Sequence, residues 1–305
     1  MRVAALDLGT NTFILLVVDV HEGRIERVVH DEVRVVRLGQ GVHQSRSFHP
    51  EALERARQCF ESFAQTIANL NVERTLACAT SAARDVKNSQ ELKDLAERNG
   101  IPLKIISGEK EAELTFLGTL PERFEGSVLI IDVGGGSTEF IFGDQTGLKT
   151  RVSVDIGSVR LTELFVSANP ISKTELAQMD TYIAAQIEKM RAGFPQEKAT
   201  RVIAVAGTPT TLATLDQGLP FETDRVDGYR LKTPRIQDWA ERLAAMKVED
   251  RQKLAGMEPK RADVIVAGCR ILFEAARIFH ADEIEVSVRG LRYGIARKLG
   301  TQAQF

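Results

Sequence analysis

Val3-Ala4-Ala5-Leu6-Asp7-Leu8-Gly9-Thr10-Asn11-Thr12 returns in pattern at Val128-Leu129-Ile130-Ile131-Asp132-Val133-Gly134-Gly135-Gly136-Ser137. Each stretch is an apolar run of buried-strand character, an Asp at its end, a glycine-containing turn and then hydroxyl residues. A second strand pattern follows each, at Thr12 to Val20 and at Thr138 to Phe142. The chain therefore reads as an internal repeat of one α/β unit, and the elements between the copies agree. After the first copy come the turn His21-Glu22-Gly23-Arg24, a partly exposed strand pair over Ile25 to Leu38, and a helix with Pro50 in its first turn. Arg74 to Ala79 and Leu103 to Ile106 read as strands. Asn88-Ser89-Gln90-Glu91 reads as a capping box opening one helix, and Glu109 to Gly118 as another.

After the second copy, Gly143 to Gly147 turns into a strand over Leu148 to Ile156. Helices follow at Val159 to Val166 and Ser172 to Arg191, the second opened by Ser172-Lys173-Thr174-Glu175. Arg201 to Ala206 is a strand, and helices then run to the end around one strand at Glu283 to Val288. The polar stretch 121–126 is a plausible hinge. It gives domains of 1–124 and 125–305, with the last helix, about 290–300, free to pack back on the first.

The 305 residues suit two domains, and 43% hydrophobic with 27% charged residues is an ordinary soluble composition. The formal charge is −2, carried by the first 124 residues and balanced in the rest. That excludes the broad positive field of a nucleic-acid binder and leaves room for a local anion pocket. Cys59, Cys78 and Cys269 lie far apart, without a CxxC pair, which argues against a disulfide framework and for a reducing compartment. The five histidines share no metal-ligand spacing, no GxxxxGK[ST] occurs, and no apolar run is long enough to span a membrane. A cytoplasmic protein is expected.

The glycines of the second loop permit close approach of a ligand, and their N–H groups can form an anion-binding concavity. Ser137 and Thr138 add hydroxyls. Asp132 and Glu139 would repel phosphate directly, so they make sense as oxygen ligands of a divalent cation, Mg²⁺ with Mn²⁺ as the alternative. A plain tight hairpin is the competing reading. In the first loop Asp7, Gly9, Thr10, Asn11 and Thr12 are the counterpart phosphate-binding set. A third segment, Val205-Ala206-Gly207-Thr208-Pro209, reads equally as an ordinary helix start or as a helix N-terminus where Gly207 and Thr208 bind phosphate or a nucleoside.

Together with Ala79-Thr80-Ser81-Ala82-Ala83-Arg84, Ile106-Ser107-Gly108-Glu109-Lys110-Glu111-Ala112, Gly157 to Glu163, Arg261-Ala262-Asp263-Val264-Ile265 and Gly290-Leu291-Arg292, these segments resemble the exopolyphosphatase/guanosine pentaphosphate phosphohydrolase family. That family belongs to the superfamily of actin, sugar kinases and the large ATP-dependent chaperones. The resemblance covers nearly the whole chain and is to the short two-domain form. It implies two ribonuclease-H-like (actin-like ATPase) domains with an active-site cleft between them. It implies hydrolysis of terminal phosphoanhydrides of polyphosphate or guanosine pentaphosphate, aided by Mg²⁺, and often a homodimer. The family's catalytic glutamate, directly before the Ala of Gly-x-Glu-Glu-Ala, falls on Glu111, and its phosphate-binding arginine on Arg84. Lys110 stands where the family has a second Glu, a departure open to phosphate binding or to plain solvent exposure.

The chemistry needs a positioned water, charge neutralisation and an in-line leaving oxygen. Glu111 would deprotonate the water, Arg84 would offer a planar donor fork, and the loop amides would hold equatorial oxygens. Arg289 or Arg292 is a further candidate to reach phosphate. The alternatives are a kinase of the same fold, a non-catalytic sensor of guanosine tetraphosphate or polyphosphate, and an actin-like filament protein. No nucleic-acid or membrane partner is expected.

Overall fold

The computed structural model describes residues 1–120 and 124–301. By backbone contacts the chain forms two units. One runs to Leu120 and includes the chain from Gly290 on; the other runs from Pro121 to Arg289. The second unit thus stops at Arg289 rather than continuing to 305. Of the expected hinge, 121–126, residues 121–123 lie outside the described residues.

In the first unit, β1 (Arg2–Leu8), β2 (Thr12–His21), β3 (Arg24–Val35), β4 (Arg74–Ala79) and β5 (Leu103–Ile105) form one sheet in the order β3-β2-β1-β4-β5. β2 is antiparallel to β1 and β3, whereas β1, β4 and β5 are parallel. The alternation of side chains along a strand sorts the core. Ala4, Leu6 and Leu8 with Phe13, Leu15 and Val17 face one side, against Phe60 and Phe63 of the Pro50–Asn69 helix. Val3 and Ala5 with Leu16, Val18 and Val20 face the other. There they meet Leu114 of the Gly108–Thr119 helix and Leu291, Tyr293 and Ile295 of the last helix, Leu291–Leu299.

Those two helices approach closely because of glycines. A Cβ at Gly118 would fall on the Gly290 carbonyl, and one at Gly294 on the Leu114 carbonyl. Side chains there would force the helices apart. The last helix thereby fixes the helix that carries Glu111.

The second unit repeats the plan. β6 (Ser127–Val133), β7 (Thr138–Asp144), β8 (Gly147–Val154), β9 (Arg201–Val205), β10 (Arg230–Lys232) and β11 (Glu283–Val286) are ordered β10-β11-β9-β6-β7-β8. β6, β7, β8, β9 and β11 match β1 to β5 in order and direction. β10 is extra, added antiparallel at the edge.

Three local expectations change. The expected strand pair over Ile25 to Leu38 is one strand, β3, which ends at Val35, and its pairing with β2 shifts register near Val17/Val18 and Asp19/Val20. Asn88 does not cap its helix through its side chain, because its Oδ1 accepts the Phe48 N–H at 2.8 Å. β10 has too few residues to show a period. The Ser172/Glu175 capping box is formed as expected. All three cysteines are buried free thiols, and no described helix is long and apolar enough to cross a membrane.

Candidate active site

In the first unit β1, β4 and β5 are registered so that Leu8 lies beside Ala79 and Ala79 beside Ile105. The residues after each strand therefore emerge at one edge of the sheet, where parallel strands present their carboxyl ends to ligands. Asp7 lies beside that edge, flanked by Ile14 and Cys78. Gly9 closes the turn by donating its N–H to the Thr12 carbonyl at 2.9 Å. The Thr10 carbonyl accepts from Gly39 N–H, and the Asn11 carbonyl from Val36 and Arg37 N–H. Thr10 Oγ1 shares a hydrogen bond of 3.0 Å with Ser81 Oγ.

The loop is thus held by its backbone from two sides. Asn11 is 6% exposed, and its side-chain Nδ2 has no hydrogen-bond partner in the structure. Leaving such a donor unmet costs about 1–3 kcal/mol, which points to an acceptor oxygen brought by a ligand or water.

Arg84 ends the short helix after β4, and Glu111 lies in the first turn of the helix after β5, whose N-cap is Ser107. Arg84 Nη1 donates to the Ile106 carbonyl at 2.8 Å and to Glu111 Oε2 at 2.9 Å. The pair is largely buried, with side-chain exposures of 24% for Arg84 and 10% for Glu111. Both of these bonds use Nη1, so the Nε/Nη2 edge of the fork is placed for a second, bidentate anion. Burial pushes the Cys78 thiol up to about 12, and Asp7 and Glu111 add to that shift. Both carboxylates therefore act on one buried sulfur, at the same end of the sheet.

In the second unit the glycine turn is oriented by the helix that follows β8. The Gly134 carbonyl accepts from Ser158 N–H at 2.9 Å, and the Gly135 carbonyl from Val159 and Arg160 N–H at 2.9 and 3.0 Å. The Gly136 carbonyl accepts from Arg160 Nε at 2.7 Å. In a trans peptide the next N–H points opposite to the carbonyl. Three successive carbonyls turned onto the Ser158–Phe165 helix thus turn the amides of Gly135, Gly136 and Ser137 the other way, where they can serve as donors to an anion. Gly157 must lack a side chain, since a Cβ there would overlap the Gly135–Gly136 peptide.

The two hydroxyls expected as phosphate donors are committed elsewhere. Ser137 Oγ donates to Glu139 Oε1 at 2.8 Å, and Thr138 Oγ1 to the Ile156 carbonyl at 2.6 Å. The donors that the loop offers are its amides.

Asp132 and Glu139 are directly opposite on β6 and β7, so their side chains share one face of the sheet. Both are buried, and Ser153 Oγ also donates to Glu139 Oε1, at 2.7 Å. Like charges directly opposite on neighbouring strands are destabilising. Among the described residues no three His, Cys, Asp or Glu side chains form a complete metal-binding group. A carboxylate pair suits a cation that keeps much of its water, as Mg²⁺ does.

Gly207 opens the Gly207–Gln217 helix behind Ala206, which holds φ at 77°. A non-glycine residue there is strained by about 1–3 kcal/mol, a cost that concentrates at ligand sites. The Arg261 guanidinium packs on Gly207 where a Cβ would be, and Thr208 Oγ1 occupies the equivalent space at Gly268. Burial lowers the Arg261 pKa.

Sequence reasoning does not single out Arg160 and Arg261 as site residues. Both lie within recognised motif segments, but their partners are distant in sequence. Arg292, a further candidate for phosphate, pairs with Asp31, with Nε–Oδ1 at 3.1 Å and Nη2–Oδ2 at 2.9 Å.

Two sheets of matching strand order, each with a glycine turn after its first strand, define the actin-like ATPase class of fold. The chain belongs to the Ppx/GppA phosphatase family, which it matches over residues 16–301. It is 35% identical over 314 aligned positions to Exopolyphosphatase 2 of Mycobacterium tuberculosis, with 98% of each chain covered. It superposes on the crystal structure of an exopolyphosphatase from Cytophaga hutchinsonii with a TM-score of 0.89 and 28% identity, covering 99% of each chain. For the Aquifex aeolicus member of the Ppx/GppA family the TM-score is 0.80 at 29% identity, covering 98% of this chain and 97% of the other.

Proposed function

We propose that this protein is an exopolyphosphatase that releases orthophosphate from the end of inorganic polyphosphate, with the 5′ γ-phosphate of guanosine pentaphosphate as a second substrate. The observation that carries the reading is the buried Arg84–Glu111 pair, because it holds an anion fork and a proton acceptor within one hydrogen bond of each other. The names of the relatives support the same substrate.

In this reading the outer edge of Arg84 binds the terminal phosphate. Glu111, aligned by the Arg84 bond, orients a water and takes one of its protons as the oxygen attacks phosphorus in line. The bond to the bridging oxygen breaks, and the shortened chain leaves with that oxygen. Asn11 Nδ2 supplies a donor to a phosphate oxygen. In the second unit, the amides of Gly135, Gly136 and Ser137 offer phosphate donors of their own, preorganised by the carbonyl bonds described above. Asp132 and Glu139 would hold Mg²⁺ through its water shell, and the ion would neutralise phosphate charge.

The test is orthophosphate release from long polyphosphate, tripolyphosphate, guanosine pentaphosphate and ATP, by wild type and Arg84→Ala. Polyphosphate hydrolysis that collapses in Arg84→Ala supports the reading. Wild-type turnover in that variant, or transfer of phosphate only to an added acceptor, overturns it.

A further inference from the structure

The edge of the first sheet beside β5 carries a cavity of about 460 Å³ that the mechanism above leaves unused. Its wall includes Lys93, Lys104, Ile106, Ser107 and Lys110. The lysines come from three elements: the Ser89–Arg98 helix, β5, and the Gly108–Thr119 helix. β5 is the edge strand, so no further strand among the described residues covers it.

One wall is the backbone on which the Arg84–Glu111 pair is mounted. The Ile106 carbonyl receives Arg84, and Ser107 caps the helix that bears Glu111. At about 1.5 Å per residue, Ser107 lies only about 6 Å along that helix from Glu111. The first turn of the helix adds positive potential to the lysines. Lys110 Nζ pairs with Glu113 at 2.9 Å, a partly exposed i,i+3 contact of modest strength that a stronger anion can displace. The buried Cys78 thiol also feels both Lys104 and Lys110, opposite in sign to Asp7 and Glu111.

Lysines contributed by separate elements to the lining of one cavity suit a flexible polyanion rather than a single planar group. The residues lining the cavity bring no aromatic ring on which a base could stack. We infer that this cavity holds inner phosphates of a polyphosphate chain whose end lies on Arg84, and so sets a preference for longer chains. The inference rests on the exopolyphosphatase reading. It also gives Lys110, where the related family carries Glu, a role particular to this chain.

The test compares wild type with Lys104→Gln/Lys110→Gln and with the charge-retaining Lys104→Arg/Lys110→Arg. KM and direct binding are measured for long polyphosphate and for tripolyphosphate across a salt series. In the Gln variant, KM and Kd for long chains should rise about tenfold. Those for tripolyphosphate should move less than about twofold, with kcat unchanged and the arginine variant near wild type. The slope of log Kd against log salt should become shallower by about one per lysine removed. Equal changes for short and long chains, or none, overturn the inference while leaving the hydrolase reading intact. Lysine-dependent binding of long chains by a wild type that hydrolyses none would instead overturn the hydrolase reading and keep the cavity.

Discussion

Replacing Glu111 by Gln isolates the proton-accepting role from the architecture around it. The amide oxygen of Gln can still accept the Arg84 Nη1 hydrogen bond that Oε2 accepts at 2.9 Å, and the side chain keeps its size in a site only 10% exposed. What disappears is the negative charge and the ability to take a proton. Loss of a general base costs about 10²–10⁴-fold, or about 3–5 kcal/mol in the barrier. The Arg84 bond weakens from an ion pair to a bond with a neutral acceptor, which costs about 1 kcal/mol of stability. That corresponds to an apparent melting temperature lower by about 2–4 °C.

The assay is orthophosphate release under saturating polyphosphate and Mg²⁺, with affinity measured by direct binding and folding by thermal denaturation. The expected pattern is a kcat lower by at least about 10², binding within about threefold of wild type, and a slightly lower melting temperature. A kcat within about threefold of wild type would refute the assignment of Glu111 as base. A loss of binding that accounts for the whole effect would recast it as a support for Arg84 alone.

Asp132→Asn removes one of the two facing carboxylates, so the Mg²⁺ concentration for half-maximal phosphate release should rise by about tenfold or more; an unchanged Mg²⁺ requirement counts against a cation there. Gly294→Ala places a methyl on the Leu114 carbonyl and should destabilise the first unit by about 1–3 kcal/mol, read as a lower melting temperature; a stable, fully active variant would mean the two helices separate freely. Hydroxyl and backbone bonds from Ser167 and Ser172 hold Glu175 down to about 2. Its native pKa is therefore below the unfolded value of about 4.3, so its stabilisation is present above that pH and fades as pH falls toward 2. The stability gap between wild type and Glu175→Gln should shrink across that window, and a gap independent of pH contradicts the linkage.

The sequence by itself determined the repeat. The apolar runs of β1 and β2, their counterparts β6 and β7, and the glycine turns between them are local patterns that survive any packing, and they located the α/β repeat and each candidate loop, while the resemblance of motifs supplied the fold class. The Ser172 cap was legible for the same reason, since both partners lie within one turn. Asn88 carried an equally good signal and failed, because the N–H of Phe48, distant in the chain, takes its side-chain oxygen instead. The resemblance of motifs named Arg84 and Glu111, but only the parallel register of β4 with β5 brings them within a hydrogen bond. The outward turn of the glycine amides depends on where the Ser158 helix starts, and the capture of Arg292 by Asp31 on a fold that returns the last helix to the first sheet. Hydrogen bonds reach about 3 Å, so they depend on which distant segments become neighbours, and periodicity within one segment holds no record of that.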